Sequence, residues 1–207
     1  MESPANEAKN NESNASISSI PLSDYAKNLE SRVKRRYQEK ISSIGIDPVL
    51  VDGKHFEPDC LPPVESTDLL FYLVLETSFY TKQQFKAFRS LEAYNQMVSG
   101  FIASVEGHII ADKFVVLAKV RHSQRMNDAL IPVWIITEKQ GNIISAHCLG
   151  CKAGLGEACS HVASVLFYLE AWTKINGKLS CVLAHKLSAR GFCRRMSNKL
   201  SMLEPET

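Results

Sequence analysis

The chain has 207 residues, of which 45% are hydrophobic and 22% are charged, so it is long enough to form a globular domain with a core. Its net charge of +2 is too small for the surface as a whole to attract nucleic acid, and only local basic patches can do so. No apolar run is long enough to span a bilayer, and residues 1–16 lack the basic and apolar regions of a secretory signal. We expect a nuclear or cytoplasmic protein that is not secreted, in which the six cysteines are metal ligands or buried thiols and not disulfides.

The N-terminal part is predicted to be a disordered tail followed by a basic helix and a linker. Residues 1–20 are rich in Asn, Ser and Glu and carry too few large apolar side chains to offset the entropy of ordering. Within residues 21–65, Ser23 can cap a helix, and the glycine and prolines of residues 52–65 are typical of a linker. Apolar residues recur at every fourth position of the predicted helix, at Tyr25, Leu29, Val33, Tyr37 and Ile41.

Residues 66–180 are predicted to contain two helices, three strands and a final helix. The first helix runs from about Asp68 to Phe79 and is expected to bury Leu69, Leu70, Leu73 and Val74. The second helix begins near Lys82, and its expected apolar face consists of Phe85, Phe88, Leu91 and Tyr94. Three strands follow at about 113–120, 133–137 and 143–147, because apolar residues there are β-branched or alternate along the chain. The final helix is indicated by the helical spacing of Val162, Val165, Leu166 and Leu169.

The segment 146–167, AHCLGCKAGLGEACSHVASVLF, contains three cysteines and a histidine at a spacing that suits a zinc ion. Tetrahedral structural zinc is commonly held by a Cys₃His set, here Cys148, Cys151, Cys159 and His161. Gly150 lacks a Cβ and eases a turn that aims the first two thiolates at one ion. Since protein fills all four positions and leaves none for a substrate, we expect the zinc to be structural and not catalytic.

The alternative for this segment is that its cysteines are buried thiols and its histidine is a surface residue, because cysteine often serves as a small core residue. Zinc is favoured over this alternative because the spacing, the glycines of the loop and the start of a helix all agree.

The string HCLGCKAGLGEACSHVASVLF resembles a SWIM-type zinc finger, whose pattern is Cys-x-Cys, a variable gap, and Cys-x-His. Three strings upstream, YLVLETSFYTKQQFKAF, SLEAYNQMVSGF and KVRHSQRMND, resemble the region before the finger in a group of transposon-related animal proteins. In that group, a YqaJ-type viral recombinase domain often follows the finger. The resemblance covers roughly residues 21–180 and places the finger at about 131–172.

This chain departs from the family pattern in two respects. It has two residues, Leu149 and Gly150, between its first two cysteines, where the family has one. Residues 181–207 form an atypical basic tail unlike the family, and we expect the recombinase domain to be absent from this chain. The chain could therefore be a fragment of a nuclease or recombinase derived from a mobile element, whose catalytic domain is absent here.

Basic residues form local clusters that could contact phosphates. One cluster lies in the predicted N-terminal helix and includes Arg35 and Arg36, and another lies in the tail around Arg190 to Lys199. The polar run from Arg121 to Arg125 follows a predicted strand and could contact nucleic acid or a peptide. For each of these, the alternative is an ordinary solvated surface. In the first cluster, acidic residues such as Glu30 and Glu39 dilute the positive charge.

Together these patterns predict an α+β fold with a helical N-terminal half, then a small antiparallel sheet with a SWIM-type zinc loop and a packed helix. The resemblance implies binding to DNA or to a protein partner, with Zn²⁺ as a structural cofactor. We expect no catalysis by this chain, because the Asp and Glu residues are scattered and form no recognisable motif that would hold a catalytic magnesium ion. We also expect no membrane association, and no small-molecule substrate is evident. The residues predicted to contact nucleic acid are Arg121, Arg125, Arg35 and Arg36.

Overall fold

The computed structural model describes residues 20–76, 83–122, 128–150 and 159–176, without the side chains of residues 75–76 and 83–90. The chain divides into two compact units, and the boundary between them lies between His55 and Phe56. Nearly all of the predicted disordered tail 1–20, and all of the predicted basic tail 181–207, lie outside the described residues. Within the described ranges, no helix has the length and apolar character needed to cross a membrane.

The first unit contains two short helices where the apolar repeat predicts one. Helix α1 spans Asp24–Lys27, helix α2 spans Ser31–Ile41, and 3₁₀ turns follow at Pro48–Leu50 and Gly53–His55. The prediction of a continuous helix is wrong because a four-residue repeat advances about 40° further around a helix at each step, or about 160° over five positions. A straight helix would therefore carry this stripe from one side to the other, and the break at residues 28–30 reorients it.

Asp47 holds the first unit together from a fully buried position. Its carboxylate accepts hydrogen bonds from the backbone N–H of Ser23 at 2.9 Å and from the hydroxyl of Tyr37 at 2.8 Å. It also accepts a hydrogen bond from the backbone N–H of Val49 at 3.1 Å. Since hydrogen bonds to a buried charge are among the strongest in proteins, this residue ties both helices to the turn that follows them.

In the part of the second unit that the structure describes, there are three helical segments, and their buried faces differ partly from the predicted ones. Helix α3 spans Ser66–Leu70 and continues as a π-helix over Phe71–Glu76, helix α4 spans Gln83–Val98, and helix α5 spans Ser160–Asn176. Leu69 is buried as expected, but Leu70 is 57% exposed, and Tyr72 is the buried residue that the spacing missed.

Helix α4 also faces the core differently from the prediction. Leu91 is 62% exposed and Tyr94 is 46% exposed, while Ala93, Gln96 and Met97 are buried. The small side chain of Ala93 lets this face of α4 approach its neighbours closely, and the large apolar residues remain at the edge. The other two residues of the predicted face, Phe85 and Phe88, have side chains outside the described part of the structure.

Four antiparallel strands form one sheet in sequence order, which confirms the predicted α+β class. The strands are β1 (Ile102–Ile110), β2 (Lys113–Val120), β3 (Ile131–Thr137) and β4 (Ile143–Cys148). Strand β1 was not predicted, since its sequence IASVEGHII contains a charge and a glycine in place of regular apolar alternation. Because β2 and β4 are separated by one antiparallel strand, they run in the same direction and end at the same edge of the sheet.

Helix α5 packs against one face of this sheet and forms the main core. Val162, Val165, Leu166 and Leu169 are all 0% exposed, which confirms the predicted apolar stripe. They share a hydrophobic cluster with residues from all four strands, including Val105, Val116, Val133 and Cys148. Burial of apolar area on this scale is the main force that holds the helix to the sheet.

Gly107 allows the backbone of the segment before α3 to lie very close to that of β1, with which it pairs. Glu57 and Gly107 exchange two backbone hydrogen bonds of 2.9 Å, which form an isolated antiparallel bridge. A Cβ at position 107 would overlap the backbone carbonyl oxygen of Cys60. Glycine is therefore required here by the close approach of two backbone segments.

We predict that Gly107→Ala lowers the free energy of unfolding by about 2–3 kcal/mol, because the backbone around Cys60 cannot yield as a flexible side chain would. Chemical denaturation of the full chain measures the change. The control is Gly53→Ala, since nothing lies within 4 Å of a Cβ there and its φ is not positive. Equal stability of the Gly107→Ala variant and the wild type would contradict the account.

Candidate metal centre

Cys148, Cys159 and His161 converge at one point in the second unit. Cys148 is the last residue of β4, Cys159 directly precedes α5, and His161 is the second residue of that helix. One ligand atom from each side chain lies within 4.8 Å of the other two, and the Sγ of Cys148 is 3.9 Å from the Nδ1 of His161. The cluster therefore joins the end of a strand to the start of the helix that covers the sheet.

Backbone hydrogen bonds hold Cys148 in place. It pairs with Val133 in the β3–β4 ladder, and the next residue, Leu149, donates its backbone N–H to the carbonyl of Pro132 at 2.9 Å. The sheet thus remains ordered to the last residue before the loop. As a result, the Cys148 thiol has a fixed position on the α5 side of the sheet, where it belongs to the main core.

Cys159 occupies the N-cap position of α5. Its carbonyl accepts the first intrahelical bond, from the N–H of Ala163 at 2.9 Å, and its Sγ accepts from the N–H of Val162 at 3.5 Å. A sulfur in this position satisfies an otherwise orphaned N–H of the first turn, as a capping oxygen would. The N-terminal end of a helix also favours the negative charge that a cysteine sulfur carries when it binds a metal.

Gly150 matters because it leaves room for a neighbouring side chain, and not because it adopts an unusual backbone conformation. Its φ is not positive, but a Cβ there would lie 3.1 Å from a methyl carbon of Ile131. Because Gly150 has no Cβ, the backbone that follows β4 can pack closely against Ile131, the first residue of β3. The sequence predicts that the missing Cβ eases the turn towards Cys151, and the structure shows that it also leaves room for Ile131.

The donor set and its geometry fit a metal ion of zinc-like preference. Two sulfurs and one imidazole nitrogen are soft or borderline donors, and all three residues are buried. Around a tetrahedral zinc ion, a sulfur and a nitrogen ligand lie about 3.6 Å apart, which is close to the 3.9 Å observed between Cys148 and His161. Within the described ranges, no second group of three or more Cys, His, Asp or Glu side chains converges in this way.

The cysteines of the second unit differ in chemical state. Neither Cys148 nor Cys159 forms a disulfide, as ligation requires. Cys60 is disulfide-bonded, so the expectation that all six cysteines are ligands or thiols is wrong for this residue. The fourth predicted zinc ligand, Cys151, lies outside the described residues.

The residues predicted to contact nucleic acid lie in two places. Arg121 is exposed and follows β2, with its backbone N–H bonded to the carbonyl of Phe101 at 2.8 Å. Arg125 lies outside the described residues.

Arg35 and Arg36 are exposed on α2 in the first unit. The carboxylate of Glu39 lies 4.0 Å from the guanidinium group of Arg35 and 3.4 Å from that of Arg36, which partly neutralises their positive charge. Lys40, near the end of the same helix, is buried.

One residue at the metal centre was not predicted as part of it. His122 follows Arg121 at the end of β2, and its ring packs edge-on against that of His161 with 5.7 Å between the centroids. Val120, two residues before it at the end of β2, belongs to the main core, and His122 itself is partly buried. No sequence signal marks this contact, because His122 lies far from residues 148–161 along the chain.

In comparisons with known proteins, no family model matches the chain, and no curated protein or solved structure does so either.

Proposed function

We propose that the second unit is a SWIM-type zinc module, in which the metal is structural and the folded surface binds DNA. The observation that carries the proposal is the convergence of Cys148, Cys159 and His161 where β4 meets α5. Their spacing in the sequence supports the same proposal, since Cys-x-His after a glycine-rich loop is the second half of the SWIM pattern.

Zinc is favoured over harder cations by the chemistry of the donors. Thiolate and imidazole ligands suit zinc, whereas magnesium and calcium are bound by carboxylate, carbonyl and water oxygens. The sequence spacing offers Cys151 as a candidate for the fourth ligand, since it follows Cys148 by three residues. With four protein ligands, no position remains for an activated water, and such a metal stabilises the fold without catalysing a reaction.

A metal at this point would stabilise the module by joining the end of β4 to the start of α5. Structural zinc contributes on the order of 10 kcal/mol of apparent binding free energy, which becomes folding free energy when the unfolded chain has no site. The apolar contacts of α5 with the sheet supply part of the stability without metal. Loss of the metal should therefore affect first the end of β4 and the start of α5.

We predict that the full chain, purified under reducing conditions, contains one zinc ion per molecule. Elemental analysis gives the stoichiometry, and Cys159→Ser should lower it to a small fraction, because a serine hydroxyl is a much poorer zinc ligand than a thiolate. The control is Cys181→Ser, which changes a cysteine outside the proposed ligand set, under the same reducing conditions. Wild-type protein that holds no stoichiometric metal would refute the proposal.

Arg121 supports DNA as the partner because it is an exposed basic residue next to the metal centre. It directly precedes His122, whose ring contacts that of the ligand His161. A module held rigid by a metal can present such a side chain to a phosphate in a fixed geometry. Lys119, two residues earlier and near the end of β2, is also exposed and adds a second positive charge close to Arg121 in the sequence.

We predict that the chain binds a mixed panel of duplex and single-stranded DNA at low salt and that binding weakens as salt rises, because counterions are released. Replacing both Arg121 and Arg125 with Ala should weaken binding and reduce the salt dependence, by about 0.9 in the log–log slope for each duplex phosphate that the protein no longer neutralises. Lys54→Ala, which removes one exposed charge from the first unit, is the control. Undetectable binding at low salt would overturn the DNA proposal in favour of a protein partner.

A further inference from the structure

His122 lies at the metal centre but has no role in the ligand set that the sequence predicts. Its side chain is partly buried, and its Nδ1 atom is buried without a hydrogen-bond partner within the part of the chain that the structure describes. A buried imidazole nitrogen that lacks a partner loses its hydration without compensation. Such an atom, in a ring that contacts His161 of the metal centre, points to a ligand that would satisfy it.

The distance between the two histidine rings matches that of two ligands of one ion. In a tetrahedral zinc site, two coordinating imidazoles have ring centroids about 5 Å apart, given the usual zinc–nitrogen distance. The centroids of His122 and His161 are 5.7 Å apart with an interplanar angle of 73°. The separation of the two rings is therefore close to that of a pair of ligands, and a small movement of the His122 ring would have to bring a nitrogen into the group of ligand atoms that lie within 4.8 Å of one another.

The topology brings His122 to the same edge of the sheet as the other ligands. Strands β2 and β4 run in the same direction, so the residues after Val120 and the residue Cys148 lie at one edge. Helix α5 begins at that edge with Cys159 and His161. Coordination by His122 would add β2 to the elements that the metal joins.

We infer that His122 is the fourth ligand of this metal centre, which makes it a Cys₂His₂ site with Cys148, Cys159 and His161, in place of Cys151. The inference rests on the proposed function, since it requires a metal at this point. The extra residue between the first two cysteines is consistent with it, because this residue changes where Cys151 can reach relative to the family pattern.

The donor count of the bound metal tests the inference on the wild-type chain. X-ray absorption fine structure of the zinc-loaded full chain should show two sulfur and two nitrogen ligands. In the Co²⁺-loaded protein, the intensity of thiolate-to-metal charge transfer should correspond to two thiolates and stay unchanged in Cys151→Ser. Three sulfurs and one nitrogen, with a loss of charge-transfer intensity in Cys151→Ser, would overturn the inference and leave the proposed function intact. A chain that binds neither metal would refute both.

Ligand replacement separates coordination from ring packing. His122→Phe keeps an aromatic ring against His161 and removes both nitrogens, and it should weaken zinc affinity at least about tenfold, since even an outer partner of a ligand contributes that much. The matched control is His108→Phe, because His108 packs edge-on against Phe56 at the same centroid distance of 5.7 Å and lies on β1. Equal zinc affinity of His122→Phe and the wild type would show that the ring serves packing alone.

Discussion

The structure of the second unit depends on where two buried thiols and one imidazole meet. Cys148 ends the last strand, and Cys159 and His161 begin the helix that covers the sheet. Neutral thiols are readily buried, but two thiolates and an imidazole are costly to bury together unless a shared ion compensates for their lost hydration. The proposal of a zinc module follows from this constraint, since one ion would satisfy all three groups and fix the helix to the strand.

The hydrophobic core and the metal centre have complementary roles in this account. The apolar stripe of α5 fixes which face of the helix meets the sheet, but apolar contacts are not directional. A shared metal would specify the position of the helix along its axis, because Cys159 and His161 would have to lie beside Cys148. Arg121 and His122 extend from the same edge of the sheet, so a surface for a partner would depend on the same constraint.

The sequence predicted the features that local spacing determines. The stripe from Val162 to Leu169 follows from helical periodicity, and the grouping of Cys148, Cys159 and His161 follows from the limited reach of a short loop. Strand β1 could not be recognised because Gly107 and the charged Glu106 interrupt its alternation, although the glycine is required by the nearby backbone. The contact of His122 with His161 and the exposure of Leu91 depend on tertiary packing, which no local pattern records.

The most direct test of the account is amide hydrogen exchange of the full chain with and without a strong zinc chelator. If a metal joins β4 to α5, the chelator should remove protection at the end of β4 and in the first turns of α5. Protection of α2 in the first unit, which Asp47 stabilises without any metal, should remain unchanged and serves as an internal control. Unchanged exchange at residues 143–148 and 160–166 after chelation would contradict the claim that a metal holds these elements together.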